Sequence, residues 1–130
     1  MHIFASHLLS TAAAEAIWVD TTGAFAGGRL KDVIFSRLQL LLQEGKKEEE
    51  GGEEVLARAK IARAFDLEGL AETLHEIRTD HERRLDGQVP ELCTDSLDGV
   101  RLVVVDDISL PYASMVNRSL VQGAHLAMGN

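Results

Sequence analysis

The chain has 130 residues, of which 45% are hydrophobic and 26% charged, a composition of globular chains and not of disordered ones. Its net charge of -8 speaks against this chain alone being a strong nucleic-acid binder, since phosphate neutralisation needs a basic surface, and any DNA contact would have to be local. A single cysteine, Cys93, excludes an internal disulfide or a thiolate zinc cluster and fits a reducing compartment, cytosol or nucleus, and no apolar run reaches the roughly 18 to 20 residues that span a bilayer.

In chain order, residues 1–14 lack the basic segment of a secretory signal and predict a helix with Ile3, Phe4, His7, Leu8 and Ala12 on one face. Ala16-Ile17-Trp18-Val19-Asp20 predicts a buried strand that stops at an acid, followed by a glycine-rich turn from Gly23 to Gly28. Leu30, Val33, Ile34, Leu38, Leu41 and Leu42 recur at helical spacing. Residues 44–54 carry six glutamates against two lysines, half of the net charge, and predict a solvated acidic loop. A helical turn at Val55 to Arg58 and a second strand near Lys60 to Phe65 come next.

Asp66 stands where a helix N-cap belongs. The helix behind it has Leu67, Leu70, Leu74, Ile77 and His81 in one stripe. Residues 85–99, with Gly87, Pro90, Ser96 and Gly99, predict a loop. A third strand at 100–105 runs into Asp106-Asp107, and Pro111 opens a last helix with Val116, Leu120, Gly123 and Ala127 on one side. Strands alternating with helices predict an α/β fold, a parallel sheet with helices on both faces, within one domain over 1–130. Ligands of such sheets sit beyond the carboxyl ends of the strands, which is where Asp20, Asp106 and Asp107 fall.

Three blocks of residues resemble the ATPase core of the RecA-like recombinases of eukaryotes, most closely the D-type branch of their recombination paralogues. The first is Ile17-Trp18-Val19-Asp20-Thr21-Thr22-Gly23-Ala24-Phe25 with Arg29-Leu30. The second is Ala62-Arg63-Ala64-Phe65-Asp66 with Leu70, Leu74 and Ile77-Arg78, and the third is Val103-Val104-Val105-Asp106-Asp107-Ile108-Ser109, similar to a Walker B strand. They occur in family order over roughly residues 16–127. The resemblance implies a partial RecA-like P-loop NTPase core whose visible strands lie in the order second-first-third. It leaves an unpaired edge on the Leu102–Val105 strand, which invites another chain.

The family binds ATP and Mg2+, and the resemblance makes Asp106 the candidate for holding Mg2+ through water, with Asp20 and Asp107 as further nucleotide-site candidates. Two departures bear on chemistry. No GxxxxGK[ST] loop occurs in the chain, and Thr22 stands where the active recombinases have their glutamate, so general-base help is lost. A bound nucleotide is therefore doubtful here, and no catalytic residue is assigned.

The resemblance further implies homologous-recombination DNA repair in the nucleus, assembly with other recombinase paralogues, and single-stranded DNA reached through that complex. The expected role is a non-catalytic scaffold. The alternative is that the chain is part of a DNA-dependent ATPase whose full-length form carries an upstream Walker A loop. Plainer roles also exist for individual residues: Asp20 as a structural group, Asp107 as a solvated turn residue, and Arg29 as an exposed helix-start cation. The spacings of His2 and His7, and of His75 and His81, do not set either pair on one helical face for a metal. No G-x-S-x-G nucleophile motif is present.

Overall fold

The computed structural model describes residues 1–11, 13–45, 51–87, 99–113 and 115–117. Three parallel strands, β1 (Glu15–Asp20), β2 (Ala59–Arg63) and β3 (Val100–Asp106), form one sheet in the order β2-β1-β3. The α/β class, the parallel sheet and the strand order read from the sequence all hold. In β1, five consecutive residues from Ala16 to Asp20 are buried, as a central strand covered on both faces requires.

Alternation along β1 divides its side chains between two cores. Ala16 and Trp18 face α1 (His2–Ser10), α2 (Gly27–Gln43) and α3 (Gly52–Ala57), where Phe4, Leu8, Ile34 and Val55 are fully buried. Ile17 and Val19 face the other way, against Ala64 and against Leu70 of α4 (Leu67–Leu85). Each fully buried Phe, Leu or Ile of this kind stabilises by about 1.5–3 kcal/mol. Arg58 clamps the α1 end of the sheet by donating from Nη1 to the Thr11 carbonyl at 2.7 Å.

Several expectations change. The buried face of α1 is Phe4, Ala5, Leu8 and Leu9, while Ile3 is 79% exposed. Phe4 meets the Trp18 ring edge-on with centroids 5.5 Å apart, in the core that also takes Ala5, Leu8 and Leu9. Ala12 lies outside the described residues.

The acidic segment 44–54 is not loop throughout. Glu53 and Glu54 form the first turn of α3, where carboxylates oppose the positive end of the helix dipole, and Val55 anchors that helix in the core. Residues 46–50 lie outside the described residues. The expected loop 85–99 begins later, since Leu85 closes α4, and residues 88–98 are likewise outside. The second strand stops at Arg63, before Phe65.

Asp66 caps α4 as expected, its Oδ1 accepting from the Gly69 N–H at 2.8 Å. The apolar stripe of α4 is shallower than its periodicity suggests: Leu70 is buried, but Leu74 is 40% exposed. The last helix is entered at residue 109, with Pro111 inside its first turn and buried. Val116 is exposed there, and Leu120, Gly123 and Ala127 lie outside the described residues.

Candidate functional site

Parallel register brings Arg63, Asp20 and Asp106 side by side at the carboxyl ends of β2, β1 and β3. Asp20 is fully buried and organises the turn that follows it. Its Oδ1 accepts from the N–H of Thr22 at 3.1 Å and of Gly23 at 2.8 Å, and from the Thr22 hydroxyl at 3.2 Å. Its Oδ2 accepts from the Phe25 N–H at 3.1 Å. Burial pushes the Asp20 carboxyl up, but the donors from Phe25, Thr22 and Gly23 outweigh it and hold the group below the ordinary carboxylate range. Gly23 has φ of +78°, a left-handed conformation that the tight turn demands and glycine supplies without strain.

Thr22 is exposed but engaged. Its hydroxyl donates to Asp20 and accepts from the Ala24 N–H at 3.1 Å. The Thr22 side chain thus holds the turn together. Thr21, buried beside it, donates its hydroxyl at 2.6 Å to the carbonyls of both Asp106 and Asp107, and its N–H reaches the Asp106 carbonyl at 3.4 Å. This bifurcated bond fastens the end of β1 to the end of β3. Neither role of Thr21 was read from the sequence, because the partners are some 85 positions away.

Asp107 is exposed with φ of +68°, and its Oδ1 accepts from the Ser109 N–H at 2.9 Å and from the Ser109 hydroxyl. Those bonds lower its pKa. Asp106 differs from both neighbours: it is half-buried, and among the described residues its carboxylate takes part in no hydrogen bond or ion pair. Arg29 lies exposed in the first turn of α2. Of the candidate acids, then, Asp20 and Asp107 are occupied by local backbone and Asp106 is open.

A triphosphate with Mg2+ needs a cradle of phosphate donors besides one carboxylate. The described residues at this end supply Asp106 without such a cradle, and among them no group of three metal-ligating side chains occurs. The donor set does not fit the nucleotide, and no chemical step is derived through it.

A cleft of about 190 Å³ opens elsewhere, under the C-terminal half of α4. Ile17, Ile77 and Val100 line it, with Lys60, His81 and Arg84 also at its wall. Glu15 joins its two cations, at 2.7 Å to Lys60 and 3.5 Å to Arg84. It belongs to the amino-terminal half of the sheet, so the cleft and the strand-end acids are separate places. No protein-family model matches the sequence.

Proposed function

We propose that this chain is a RecA-like recombination paralogue core that acts in homologous-recombination DNA repair as a non-catalytic assembly subunit. The observation that carries the reading is the β2-β1-β3 parallel sheet with Asp20 and Asp106 aligned at its carboxyl ends, the arrangement expected from the resemblance. Thr22, bonded into its own turn at the base position, favours scaffold over catalyst. The net charge of -8 favours reaching single-stranded DNA through partner paralogues over direct binding. The nucleus is the matching compartment.

Two measurements test this. The purified chain should show no Mg2+-dependent ATP turnover; turnover abolished by Asp106→Ala would overturn the non-catalytic role. Tagged chain should co-purify with a recombinase paralogue expressed beside it, and failure to do so would count against the recombination reading.

The open carboxylate of Asp106 favours a second reading, in which the chain belongs to a longer DNA-dependent ATPase that binds ATP and Mg2+ through an upstream Walker A loop. An in-frame GxxxxGK[ST] in the genomic sequence upstream of Met1 would select it.

A further inference from the structure

We draw no further inference here: the strongest candidate, the cleft of about 190 Å³ under the C-terminal half of α4, sets the acids Glu76 and Asp80 beside the cations Lys60 and Arg84, which Glu15 already joins, so nothing in the structure selects one class of ligand for it.

Discussion

Replacing Thr21 with valine preserves the shape of the side chain and deletes one hydroxyl that joins β1 to β3. That hydroxyl donates at 2.6 Å to two carbonyls, those of Asp106 and Asp107. Loss of a buried partner costs about 1–3 kcal/mol. The lower part of that range applies, because the Asp106 carbonyl keeps the Thr21 N–H at 3.4 Å and the exposed Asp107 leaves its carbonyl within reach of water. We therefore expect about 1–2 kcal/mol. Unfolding entropy near the midpoint is about 2.1 cal/mol/K per residue, or about 0.27 kcal/mol/K for this length, so Tm should fall by roughly 4–7 °C. Thermal melts followed by circular dichroism measure this directly. Thr21→Ser, which keeps the donor, should recover most of the loss. A valine variant that melts with the wild type, or a serine variant as unstable as valine, would refute the role given to this bond.

Other outcomes follow from the same geometry. Asp20→Asn puts an amide N–H2 against either the Phe25 N–H or the three donors on Oδ1, so the variant should be destabilised at neutral pH in urea titrations. Because the folded pKa of Asp20 is lowered, its carboxylate contributes fully above the unfolded value, about 3.9, and that contribution is lost as pH falls through the folded value. Asp107 acts in the same sense, so wild type should lose stability below pH of about 4 while Asp20→Asn shows a flatter acid limb. Asp66→Ala removes the cap of α4 and should cost about 0.5–2 kcal/mol by chemical denaturation, with Asp66→Asn close to wild type. Ile34→Ala, fully buried between α2 and the sheet, should cost about 2–5 kcal/mol. Leu40→Ala, at 59% exposure on the same helix, should stay within about 0.5 kcal/mol, and equal losses at both positions would contradict the assigned helix face.

What the amino-acid order determined was local. The apolar run Ala16–Val19 stopping at Asp20 placed β1, the apolar spacing of 30–38 placed α2, and an aspartate ahead of an apolar period marked the start of α4. These signals depend on neighbours within a turn or a strand, so the sequence displays them directly, and their alternation was enough to give an α/β sheet. Tertiary structure decided the rest. Ile3 and Leu9 are equally apolar, and only the packing of α1 on the core around Trp18 turned one outward and the other in. From the sequence, Asp106 is the Mg2+ candidate, while Asp20 and Asp107 also have plainer readings as a structural group and a turn residue, but no partner can be named for any of them. Their roles separated because a buried carboxylate must find donors, because a left-handed residue turns its side chain onto Ser109, and because neither applies to Asp106. The donors around Asp20 and Asp107 lie only two to five residues away, so what the sequence did not display was the burial that makes Asp20 need them and the bond of Thr21 to the end of β3 some 85 positions on.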